Sequence, residues 1–131
     1  MEELQLAGEL ASVPDARHWL GERCAEAGLP APARTIAELL TTELVGNAVV
    51  HGNGPVRVTL RLDGAGVTVG VHDSHPGRPV LRHVGAEATG GRGVALVDAL
   101  ATRWGVTPDT GGRPGKTVWF TLRAEGTTAA G

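Results

Sequence analysis

The chain has 131 residues, a formal net charge of −2 and 41% hydrophobic residues, enough for one domain with a single core. Neither that charge nor any local basic run attracts phosphate backbones or anionic lipid, which excludes a nucleic-acid binder and a membrane-surface protein. Cys24 stands alone, so an internal disulfide framework and a multi-cysteine zinc site are excluded as well.

Aromatic residues make up only 3%, with no Tyr, so the core must come mostly from Leu, Val and Ala. Lys116 is the sole lysine among many arginines. The opening residues have no basic stretch followed by a long apolar run, and nothing approaches the ~20 apolar residues that span a bilayer. The expectation is a cytoplasmic domain over residues 1–125, with 126–131 a disordered tail.

Residues 3 to 13 alternate loosely and suit an edge strand. Pro14 stands where the first turn of a helix tolerates it, and Ala16 to Ala27 reads as helix until Gly28. After the stiff Leu29-Pro30-Ala31-Pro32, a second helix is expected from about Ala33 to Val50. Ile36, Leu40, Leu44 and Ala48 form its apolar stripe, widened by Leu39 and Val49. Then Val56, Val58, Leu60 and Leu62 alternate with polar residues. Asp63-Gly64-Ala65-Gly66 makes a turn, and Val67, Val69 and Val71 alternate again, which is a β-hairpin. Residues 74 to 92 lack periodicity and read as a long loop, a kind that is usually functional or disordered. Gly93 to Ala101 is a third helix, Trp104 to Val106 a short strand, Thr110 to Gly115 a turn and Lys116 to Arg123 a final strand. A hairpin set between helices, without regular βαβα alternation, predicts an α+β two-layer sandwich.

Three places can carry chemistry. Glu43 and Asn47 lie one turn apart on one helix face, at the edge of its apolar stripe, and His51 extends the row. A carboxylate and an amide there need partners, which a metal ion, a water, a ligand or an inter-helix hydrogen bond supplies. Asp73 ends an apolar strand face, where it either opens a turn or accepts from an exocyclic amine in a half-buried pocket. Gly90-Gly91-Arg92-Gly93 precedes a helix whose free N–H groups suit phosphate, although the same sequence also makes a plain linker. Thr110-Gly-Gly-Arg-Pro-Gly-Lys-Thr117 is not a P-loop, because it leads into a strand where that motif opens a helix. His51, His72 and His75 match no zinc spacing, and no nucleophile elbow surrounds Ser74.

The order of these pieces resembles the histidine-kinase-like (GHKL) ATPase superfamily. Glu43-Leu-Val-Gly-Asn47-Ala-Val-Val-His51-Gly52 is similar to its N-box, and Asp73-Ser-His-Pro-Gly77 to its G1 box. Gly91-Arg92-Gly93-Val94-Ala-Leu-Val-Asp98 is similar to its G2 box, and Gly115-Lys-Thr117-Val-Trp-Phe120 to its closing strand. The resemblance covers about residues 36 to 123, and its wording is nearest the anti-sigma-factor serine/threonine kinase branch.

It implies a Bergerat-type ATP-binding fold, a mixed, mostly antiparallel sheet covered by helices on one face. By it Glu43 is catalytic, Asn47 ligates Mg²⁺, and Asp73 accepts from the adenine amine, helped by Thr117 through water. Gly91, Arg92 and Gly93 hold the phosphates, and His51, Gly77 and Val94 complete the ATP-binding set. Residues 74 to 90 form the lid. The implied activity is phosphoryl transfer from ATP to a small anti-sigma-factor antagonist, with or without sequestration of a sigma factor, by a homodimer. One departure is His75, where the G1 box carries Gly. It favours the alternative of a regulatory module that binds ATP or a protein with little catalysis.

Overall fold

The computed structural model describes residues 1–51, 54–75 and 92–124, with backbone only for 92–94. In chain order the elements are β1 (Glu2–Leu6), α1 (Ser12–Glu26), α2 (Ala31–His51), β2 (Val56–Asp63), β3 (Gly66–Asp73), α3 (Arg92–Leu100), β4 (Arg103–Pro108) and β5 (Lys116–Arg123). The five strands form one sheet in the order β1-β2-β3-β5-β4. Every neighbouring pair is antiparallel, so the expected mixed sheet is antiparallel throughout. Residues 76–91 of the expected loop at 74–92, and the whole expected tail 126–131, lie outside the described residues.

Local chemistry sets the ends of these elements. Asp15 in the first turn and Arg23 in the last suit the dipole of α1. Gly28, at φ 81°, takes the left-handed position after that helix. Its N–H bonds to the Ala25 carbonyl at 3.0 Å, and the Leu29 N–H to that of Cys24 at 3.0 Å, a Schellman closure. Leu29, expected in a connector, is buried by this turn. Helix α2 begins at Ala31 rather than Ala33, since Pro32 falls in the first turn where its missing N–H has no helical partner to lose. In the hairpin, Asp63 Oδ1 accepts from the N–H groups of Ala65 at 2.7 Å and Gly66 at 3.0 Å, the side-chain turn that Asp favours.

All three helices lie on one face of the sheet. Val56, Val58, Leu60, Val67, Val69, Val71, Val118, Phe120 and Leu122 bury that face beneath them. Helix α2 is the middle one, packed against α1, α3 and the three strands β2, β3 and β5. It turns Ala37, Leu40, Thr41, Leu44, Val45 and Ala48 inward. Leu39, expected in the stripe, is 38% exposed. The buried arc is centred nearer Ala37, Thr41 and Val45, because α1 covers that flank as well. The opposite face of the sheet carries Thr59, Gly70, Thr117, Trp119 and Gly105. There Trp119 lies over Gly105, where a Cβ would come within 2.8 Å of the indole.

Cys24 is fully buried on α1. Burial first, then the Glu38 carboxylate, push its thiol up to about 11 from 9.0, with Arg34 opposing. The folded state therefore keeps a proton that the unfolded chain loses near pH 9. Its stabilising contribution is full below pH 9 and is lost as pH rises toward 11. The loss is expected to be on the order of 2 kcal/mol. Urea melts at pH 8 and pH 10.5 check it, and Cys24→Ala should flatten this part of the slope. An equal slope in that variant would assign the alkaline loss elsewhere.

Candidate functional site

The second helix positions the first group of candidate residues. Glu38 turns toward α1, since a Cβ on Gly21 would strike its carboxylate. At 3.6 residues per turn, Glu43 lies about 140° and Asn47 about 180° around the helix from Glu38. Both therefore face away from α1. Each is half-buried, and among the described residues neither side chain makes a hydrogen bond or an ion pair. A partly desolvated carboxylate beside a partly desolvated amide is a pair open to a cation or to a polar ligand. His51 ends the helix one turn further on and is exposed.

The second group sits where β3 ends. Strand parity puts Asp73 on the core face with Val67, Val69 and Val71, and it is 3% exposed. Its Oδ1 accepts from the His75 N–H at 2.8 Å, so the turn-opening role holds. It also makes an ion pair that the sequence reading missed. Lys116 Nζ donates to Asp73 Oδ1 at 3.0 Å and Oδ2 at 3.2 Å, and to the His75 carbonyl at 3.4 Å. Lys116 itself is buried.

Thr117 stands next to this pair in sequence but on the other face of the sheet. The register pairs Lys116 with Asp73 and Thr117 with His72, so successive side chains of β5 point to opposite faces. Thr117 lies on the outer face, where its Cγ2 is 3.0 Å from the position a Cβ on Gly70 would occupy. The signal was available in the strand pattern: Lys116 shares parity with Val118, Phe120 and Leu122, the buried set, while Thr117 shares it with Trp119 and Thr121. His72, on the same outer face, pairs through Nε2 with Asp109 Oδ2 at 3.0 Å and stands apart from Asp73.

Gly115 makes the close approach of β5 possible. Its φ is 138°, and a Cβ there would come within 2.5 Å of Asp109 Oδ2 and 3.0 Å of the Asp73 carbonyl. Helix α3 begins at Arg92, so Arg92, Gly93 and Val94 form its first turn. The side chains of 92–94 and the whole of Gly77 and Gly91 lie outside the described residues. No group of three His, Cys, Asp or Glu side chains converges among the described residues. Nor is any described helix long and apolar enough to cross a membrane.

With this geometry established, the family follows from a direct match. The model of the histidine kinase-like ATPase domain covers residues 6–122. The chain belongs to that family. As a histidine kinase-like ATPase domain it is 34% identical over 91 residues to the signal transduction histidine-protein kinase AfsQ2 of Streptomyces coelicolor. That match takes in 64% of this chain and 17% of the kinase. The domain also resembles the crystal structure of the RsbU and RsbW domains of a Mycobacterium tuberculosis protein, with TM-score 0.64 and 23% identity. The likeness covers 94% of this chain and 32% of that one, and it is a likeness of fold.

Proposed function

We propose that this domain binds ATP with magnesium and acts as a serine/threonine kinase on a small regulatory protein, an anti-sigma-factor antagonist. The observation that carries the reading is the pair Glu43 and Asn47, half-buried, one turn apart and without a protein partner among the described residues. The family supplies ATP as the ligand class. The buried Asp73 fits an adenine amine, because an acceptor-only carboxylate matches an N–H donor. ATP supplies the phosphoryl group, and magnesium offsets its charge. Asn47 is the assigned magnesium ligand. Glu43 orients the acceptor hydroxyl and takes its proton. Arg92 and the N–H groups at the start of α3, with Gly91 and Gly93, are assigned to the phosphates, where a helix terminus favours anions. His51, Gly77 and Val94 border the nucleotide.

The 34% identity to a histidine-protein kinase supports a protein rather than a small-molecule acceptor. A second reading, binding without turnover, rests on His75. It stands where the G1 box carries Gly, and its N–H and carbonyl are both engaged, by Asp73 and Lys116.

Calorimetric titration of MgATP tests the proposal, beside Asn47→Ala and a magnesium-free control. Binding should vanish in both. An absence of heat with the wild type up to ~1 mM, an affinity weaker than about −4 kcal/mol, would overturn ATP binding. For the kinase step, Glu43→Ala should bind ATP yet lose at least about 100-fold in phosphotransfer to a cognate antagonist. Unaltered transfer would sink the assigned role of Glu43, and no transfer by either protein would favour the second reading.

A further inference from the structure

The family resemblance gives Lys116 no role, yet it makes the most buried ion pair among the described residues, with side chains 10% and 4% exposed. Stability alone does not account for it, since a buried ion pair is often no better than a well-packed apolar pair. The residue type is also telling. Elsewhere the chain uses Arg for its fixed positive charges, and lysine occurs here alone. An ammonium is compact and straddles two oxygens of one carboxylate, where a planar guanidinium needs more room.

The hydrogen bonds show what the pair does. Asp73 Oδ1 accepts from both the His75 N–H and Lys116 Nζ, while Oδ2, among the described residues, accepts from Lys116 alone. A carboxylate has about four acceptor positions, so Oδ2 keeps one. An Asp side chain free to turn about its last torsion would present that position in many directions. With the backbone N–H on one oxygen and the ammonium across both, the carboxylate plane is fixed and the remaining lone pair has one direction.

We propose that Lys116 is a positioning residue for base recognition, holding Asp73 so that the free lone pair of Oδ2 meets the exocyclic amine of adenine. Resting on the ATP-binding reading above, it adds how the base is selected. A purine with a hydrogen in place of that amine offers Oδ2 no donor. Discrimination for the amine then depends on Lys116, while affinity for the rest of the nucleotide does not.

The experiment measures affinities of the wild type and Lys116→Met for ATP and for purine riboside triphosphate, which lacks only the amine. The wild type should prefer ATP by about tenfold or more, the worth of a hydrogen bond to a charged group. In Lys116→Met that preference should fall below about threefold, with binding of the amine-free analogue unchanged within about twofold. A general loss of structure would weaken both ligands together, so the ratio separates positioning from folding. If Lys116→Met retains the wild-type preference, the proposal is wrong. Should that variant fail to fold, Lys116→Gln is read in the same way, and a preserved preference there equally overturns the idea. Wild type that binds both ligands equally would refute the contact between Asp73 and the amine. Wild type that binds neither would refute ATP binding itself. In an Asp73→Asn background the Lys116 substitution should have no further effect on the ratio, and a further loss would show that Lys116 acts elsewhere.

Discussion

Asp73→Ala is expected to lower affinity for ATP by at least about 100-fold and to destabilise the fold by about 3–5 kcal/mol. Two separate physical causes meet in this one side chain. For binding, the carboxylate is the buried acceptor proposed for the adenine amine. For stability, its removal leaves the Lys116 ammonium in a slot where the side chain is 10% exposed, with only the His75 carbonyl still accepting from it. The causes separate by variant. Asp73→Asn keeps the shape and one acceptor oxygen, so it should lose most of the binding and less of the stability. Combining Asp73→Ala with Lys116→Met removes the orphaned charge and should recover part of the stability but none of the affinity. Urea unfolding and calorimetry on these proteins check both arms. An Asp73→Ala protein as stable as the wild type would mean that the ion pair does not form in solution.

Phe120→Ala should cost about 3–5 kcal/mol, a large share of the 5–15 kcal/mol that a domain of this kind has. Phe120 is the one Phe of a chain without Tyr, and it is fully buried. It stands on β5, opposite Val69 of β3 on one side and Trp104 of β4 on the other. Its neighbours above are the Leu, Val and Ala side chains of the helices, which are too short to close the cavity its loss would leave. Phe120→Leu refills most of that volume and should cost less than half as much, about 1–2 kcal/mol. Thermal melts would show the difference as a midpoint drop several degrees larger for Ala than for Leu. Equal drops would mean that the core around β5 collapses freely, contrary to its close packing.

The elements that the sequence announced are those whose pattern is local. The 3.6-residue recurrence of Leu40, Leu44 and Ala48 marks α2, and the strict alternation on both sides of Asp63-Gly64-Ala65-Gly66 marks the hairpin. Both depend on neighbours within a few positions, so periodicity reports them directly. The expected first strand was vaguer, because β1 is five residues long with its side chains partly open to solvent, and a short edge needs little patterning. Leu39 was placed in the core stripe and is partly exposed, since which arc of α2 is covered depends on where α1 packs.

What the sequence determined by itself was the kind of fold and the order of the candidate boxes, because residue types at fixed spacing on a helix face or a strand end carry that information. The insertion of β5 between β3 and β4, the antiparallel register throughout, and the pairing of Asp73 with Lys116 were decided by tertiary structure. Strand pairing joins residues 43 positions apart, and a slip of one residue exchanges the two faces of a strand. That single step separates Thr117, which the motif suggested, from Lys116, which the sheet places on the carboxylate.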